Sequence, residues 1–127
     1  PIKLKRRNAQ PEAIEQAKVI AWAKRHEHIY PYLWLLHCSL NGVKMTKAQA
    51  VRAIAQGMKK GVSDLFLPVK KGVFSGLYIE MKSEKGRTSI DQSKFLTAVS
   101  ENDYSAHICY SAVEAIDKIK DYYNLSN

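Results

Sequence analysis

No apolar run in the 127-residue sequence approaches the roughly 18 residues that a membrane span needs. The longest, such as Leu33 to Leu36, are strand-sized, so no membrane partner is expected. The basic residues Lys3, Lys5, Arg6 and Arg7 are followed by no apolar block. No secretory signal is therefore expected, and a cytoplasmic, intracellular setting is. Cysteine is scarce: Cys38 and Cys109 each sit in an apolar, strand-like stretch. That argues against a disulfide or a cysteine-based metal site and for two buried, reduced thiols. The histidines His26, His28, His37 and His107 lack ligand spacing and are expected to pack or lie at the surface. No small-molecule cofactor is expected.

Acidic residues are thin where basic ones are dense. Residues 1–94 hold 18 Lys/Arg against 7 Asp/Glu, net +11, and residues 95–127 hold 2 against 5, net −3, which make the formal +8. A field this lopsided favours a polyanionic partner, nucleic acid ahead of an anionic membrane surface. The chain is long enough for one domain with a core and too short for two. The expected organisation is a basic N-terminal arm over residues 1–10 and a single domain over residues 11–127, with no repeats or internal linkers.

Hydrophobic periodicity supplies the elements. Ala13, Ala17, Ile20 and Ala21 recur at helical spacing from Pro11 to about His28. Leu33 to Cys38 reads as a buried strand, and Asn41-Gly42 as a turn. Thr46 and Gln49 form a capping box ahead of Ala48, Val51, Ile54, Ala55 and Met58, with Gly61 as the expected stop. Val62 to Lys70 and Leu77 to Lys82 alternate as two strands around a glycine-bracketed turn. Ser89 and Gln92 open a helix with Phe95, Leu96 and Val99 facing inward. Ala106 to Tyr110 is a strand, and Ser111 with Glu114 caps a last helix. Trp22, Trp34 and Phe95 are expected in the core rather than as base-stacking platforms. The pattern predicts an α/β fold with a small central sheet covered by helices.

The hairpin carries the chemistry. If its turn is centred on Gly72, antiparallel partners have numbers summing to about 144, which sets Asp64 opposite Glu80. Side chains alternate along a strand, so Lys82 shares the face of Glu80. Two carboxylates directly opposed on a sheet repel, and a divalent cation resolves that conflict. Such an ion activates water and polarises a phosphoryl oxygen, while a neighbouring lysine stabilises developing charge. Spacing alone leaves a second reading open, a solvated Asp–Glu–Lys surface cluster. A turn centred on Gly76 would break the Asp64–Glu80 pairing.

Gly61-Val62-Ser63-Asp64-Leu65 followed by Ile79-Glu80-Met81-Lys82 resembles the D-(x)n-E-x-K signature of the PD-(D/E)XK nuclease superfamily. Glu12 with Gln16, Asn41-Gly42, Gly61 to Asp64, Gly76 to Lys82 and Gln92 are similar to its VRR-NUC (virus-type replication-repair nuclease) family, in particular the small stand-alone phage and prophage forms. The resemblance spans about Glu12 to Tyr122. One departure is Ser63, where the family usually carries proline. The resemblance implies a restriction-endonuclease-like core (α-β-β-β-α-β) with one inserted helix and a C-terminal helix. It also implies that Asp64, Glu80, the Met81 carbonyl and Glu12 hold Mg2+ or Mn2+, that Lys82 is the catalytic lysine, and that Gln92 approaches the site. Glu15 rivals Glu12 for the helix-borne acid, Gln16 is a weaker candidate, and Gln92 is equally the third position of its capping box.

The expected function is a metal-dependent DNA endonuclease. The resemblance further implies branched DNA, four-way junctions in particular, cut by a homodimer of bacterial or phage origin. Lys59, Lys60, Lys70, Lys71 and Asn41 are the candidate nucleic-acid contacts. Two other readings stand beside it: a non-catalytic basic nucleic-acid-binding module on a nuclease-like fold, and a ribonuclease sharing the same site.

Overall fold

A computed structural model describes residues 11–40 and 43–126. Along the chain run α1 (Pro11–His26), a short 3-10 turn (Leu33–Leu35), β1 (His37–Cys38), α2 (Lys47–Ala55), β2 (Leu65–Leu67), β3 (Gly76–Met81), α3 (Ile90–Glu101), β4 (Tyr104–Cys109) and α4 (Ala112–Tyr123). The strands form one sheet in the order β1-β2-β3-β4. β1, β2 and β3 are antiparallel neighbours, and β4 joins β3 in parallel after the α3 crossover.

Strand alternation divides the sheet into two faces. Leu65, Leu67, Leu77, Ile79, Met81 and Cys109 point to one and are buried against Val19, Trp22 and Ala23 of α1 and Ala115, Ile119 and Tyr122 of α4. Burial of each such large side chain contributes about 1.5–3 kcal/mol relative to exposure. The opposite face carries Phe66, Tyr78 and Tyr104, with Phe95 of α3 meeting the Tyr78 ring edge-on at 5.1 Å. The helices therefore make two outer layers, α1 with α4 and α3 alone, as the expected α/β core requires.

Local signals explain most element ends. Both capping boxes form: Thr46 with Gln49, and Ser89 with Gln92. At α4 the Ser111 hydroxyl accepts from Glu114 N, while the Glu114 carboxylate reaches back to Tyr110 N. The α2 stop is Gly57, not Gly61. Gly57 takes φ 109° while its N–H donates to Ile54 O and Met58 N donates to Ala53 O, a Schellman closure. Gly61 serves a different need, because a Cβ there would lie 2.5 Å from the Asp91 backbone at the start of α3.

Two strand expectations are also corrected. The run Leu33–Cys38 is not a buried strand: Tyr32 turns left-handed at φ 64°, Leu33–Leu35 curl, and only His37–Cys38 extend, on the sheet edge. Trp34 is consequently 63% exposed, and Cys38 is an exposed free thiol, whereas Cys109 is buried as expected. β2 is three residues long, since Pro68 lacks the N–H that would continue the ladder. Finally, α2 buries none of its residues, and Val51 and Ile54 stand 66% and 52% exposed.

Candidate metal and active site

The β2–β3 register pairs Leu65 with Ile79, Phe66 with Tyr78 and Leu67 with Leu77, so its continuation sets Asp64 opposite Glu80. The hairpin reaches that register by an irregular route. Its turn is the pair Gly72-Val73, with Gly72 at φ 58° and Lys71 bridged to Phe74. A regular ladder from that bridge would set Asp64 opposite Met81. The β2 side carries one extra residue between Leu67 and Lys71, a bulge at Pro68–Lys70, and it shifts the pairing by one. Asp64 and Glu80 thereby fall on one face.

Glu80 is 2% exposed, and Asp64 is half-buried beside it. Burial, then the Asp64 charge and a hydrogen bond between the two carboxyl groups when Glu80 is protonated, push the Glu80 carboxyl up to about 8, against the opposing pull of Lys82. Gln92 donates from Nε2 to Glu80 Oε2 at 2.9 Å, and its Oε1 accepts from Lys82 Nζ at 2.7 Å. Lys82 Nζ also lies 3.5 Å from Glu80 Oε2. Gln92 Oε1 simultaneously accepts from Ser89 N at 2.9 Å, so the capping box and the site share one side chain. The Gln92 side chain thus both caps α3 and ties Glu80 to Lys82. When Glu80 is ionised, its Oε1 is buried with no hydrogen-bond donor among the described residues. A buried carboxylate oxygen left unpaired is costly, and it fits a cation or an ordered water.

Met81 N donates to Asp64 Oδ2 at 2.7 Å. Within an extended strand the N–H and C=O of one residue point to the same side, so the Met81 carbonyl also faces the Asp64 edge. Its side chain is buried on the opposite face.

The α1 acids separate. Glu15 Oε1 accepts from Ala112 N at 2.8 Å and Glu15 Oε2 pairs with Lys18 at 2.8 Å; these contacts hold its carboxyl below the ordinary range. Glu15 is thus engaged at the start of α4. The contact also anchors the first turn of α1 at the end of the sheet where β3 and β4 finish, the end that carries Glu80. Glu12 sits half-buried in that turn. Among the described residues no three Asp, Glu, His or Cys side chains converge, so Glu12 does not join Asp64 and Glu80 here. Gln16 is half-buried on α1.

The candidate nucleic-acid contacts divide by position. Exposed Lys59 and Lys60 lead into Gly61 and the Asp64 end of the hairpin. Lys70 and Lys71 belong to the other end: six residue steps run from Phe74, bridged to Lys71, to Glu80, about 20 Å at the usual strand rise. Asn41 lies outside the described residues. Two exposed cations that sequence reasoning passed over, Lys85 and Arg87, sit on the loop between Lys82 and the Ser89 cap. Their signal was that both flanks of this loop carry site residues. Ser39 was also missed, and only the β1–β2 pairing reveals it: its N–H donates to Asp64 O at 2.8 Å.

Residues 6–113 match the VRR-NUC domain family. A solved structure described as a VRR-NUC domain protein is similar to this chain with a TM-score of 0.78 at 23% sequence identity, covering 94% of this chain and 93% of that one. At that identity the likeness carries the fold. No curated protein matches the chain. With the family spanning most of the sequence, the chain belongs to the VRR-NUC family of nuclease domains.

Proposed function

We propose that the protein is a Mg2+- or Mn2+-dependent endonuclease acting on DNA, with Asp64 and Glu80 holding the ion. The observation that carries this reading is the buried Glu80 carboxylate, set opposite Asp64 with one oxygen unpaired. Such an arrangement destabilises an empty site and suits a bound cation. The Met81 carbonyl edge is the further candidate donor, and Glu12, which does not reach the pair here, would act through water. When bound, the ion polarises a phosphoryl oxygen and lowers the pKa of water.

The remaining chemistry belongs to the chain. Lys82, held by Gln92 and Glu80, presents one positive charge beside the acids, where a scissile phosphate gains negative charge. Gln92 keeps that ammonium and the Glu80 carboxylate in a fixed geometry. Lys59, Lys60, Lys85 and Arg87 supply phosphate contacts around the same end of the sheet.

Branched DNA, four-way junctions in particular, is the proposed substrate, cut by a homodimer whose two-fold symmetry matches that of the junction. Of the surfaces free for self-association, α2 leaves Val51 and Ile54 uncovered. The test is cleavage of labelled junction, flap, duplex, single-stranded DNA and RNA with Mg2+, Mn2+ or EDTA. The account expects metal-dependent cutting of DNA, fastest on the junction, abolished by Asp64→Asn or Glu80→Gln while DNA binding persists. Binding without cleavage under every metal condition would instead establish the non-catalytic binding module.

A further inference from the structure

We infer that Ser39 is a positioning residue of this site, its hydroxyl taking up a water from the hydration shell of the ion carried by Asp64 and Glu80. The inference rests on the metal reading above and extends the site onto a third strand.

The β1–β2 register pairs His37 with Phe66 and Cys38 with Leu65, and the Ser39 N to Asp64 O hydrogen bond of 2.8 Å continues it by one residue. Ser39 is therefore directly opposite Asp64, as Asp64 is opposite Glu80. Directly opposed residues of antiparallel strands share a face, with Cβ atoms about 5 Å apart. Ser39, Asp64 and Glu80 thus form one polar row across β1, β2 and β3.

Both ends of this row carry the same anomaly. Ser39 Oγ and, with Glu80 ionised as ligation requires, Glu80 Oε1 are buried, and neither has a hydrogen-bond partner among the described residues. The great majority of buried polar atoms in proteins are paired, and each orphan is costly. Asp64, between them, gives one carboxylate oxygen to Met81 N. One hydrated cation at the middle of the row satisfies both ends: the acid oxygen directly, the hydroxyl through water. Mg2+ suits this division, because it is bound by one or two carboxylates and keeps several of its waters. A serine also fits the position chemically, since its hydroxyl donates or accepts as the water requires.

The experiment compares wild type, Ser39→Ala, Ser39→Thr and Asp64→Asn by thermal melting in EDTA and by calorimetric titration with Mn2+, without DNA. Ser39→Ala is expected to melt in EDTA at or above the wild-type temperature, because it removes an unpaired buried hydroxyl. Its Mn2+ affinity is expected to fall about 10-fold or more, as for other outer-shell partners of metal ligands. Ser39→Thr, which keeps the hydroxyl, is expected to bind Mn2+ within about threefold of wild type, less than a 10-fold outer-shell loss. A metal-free Ser39→Ala protein that melts earlier, or one that titrates like wild type while Asp64→Asn does not, overturns the role of Ser39 alone. A wild-type protein that takes up no Mn2+ overturns the metal reading itself, and this inference with it.

Discussion

Glu80 concentrates the physical tension of the molecule. Burial beside Asp64 raises its carboxyl from an ordinary 4.5 to about 8, so folding favours the protonated form. The stability this contributes is fully present below about pH 4.5 and is lost as pH rises through about 8. Metal-free protein should therefore lose melting temperature between about pH 4.5 and pH 8 and level off above, and Glu80→Gln should flatten that loss. An equally steep loss in the variant would move its cause elsewhere. Lys82→Ala should lower the cleavage rate about a hundredfold with little change in DNA affinity, the loss typical of one charged transition-state contact. Single-turnover rates alongside binding isotherms separate the two, and normal cutting with weak binding would make Lys82 an ordinary phosphate contact. Ser63, 1% exposed with its hydroxyl unpaired among the described residues, occupies the position where the family usually carries proline. Ser63→Ala should hold or raise stability by up to about 1 kcal/mol, read from urea unfolding, and leave cleavage intact.

The helices differ in what supports them. Ile119 of α4 is fully buried, whereas Ile54 of α2 is 52% exposed. Ile119→Ala should cost about 2–5 kcal/mol in urea unfolding, while Ile54→Ala should stay within about 0.5 kcal/mol for the monomer. A large cost at Ile54 would mean that α2 is packed. The same contrast separates what was legible in the sequence from what was not. The Thr46–Gln49 and Ser89–Gln92 boxes were legible because both partners lie within one turn. The Asp64–Glu80 pairing was legible from spacing, yet the route to it was not: the turn sits half a residue later than Gly72, and the Pro68–Lys70 bulge compensates. β1 was misread because the apolar run Leu33–Leu36 satisfies a buried-strand pattern, while the left-handed Tyr32 ahead of it curls the backbone. Choosing between Glu12 and Glu15 needs tertiary information, the Ala112 contact that engages Glu15 elsewhere.

Charge and symmetry act through the molecule as a whole. The excess of cations over residues 1–94 should make DNA affinity fall steeply with salt as counterions are released, and a flat salt series would remove DNA as the main partner. If α2 supplies the two-fold contact, light scattering should find a dimer that Ile54→Lys converts to monomer, with paired junction cuts lost together. The claim on which all of this depends is that Asp64 and Glu80 jointly hold a divalent ion. Ligation requires ionised carboxylates, and burial beside Asp64 raises the Glu80 carboxyl well above its ordinary range, so ion uptake by the pair should expel a proton. The decisive measurement is Mn2+ titration at pH 7 in buffers of different ionisation enthalpy, which counts protons released per ion bound. The account predicts one site per chain with close to one proton released, and no such uptake by Glu80→Gln. Ion binding that releases no proton, or that survives in Glu80→Gln unchanged, would contradict it.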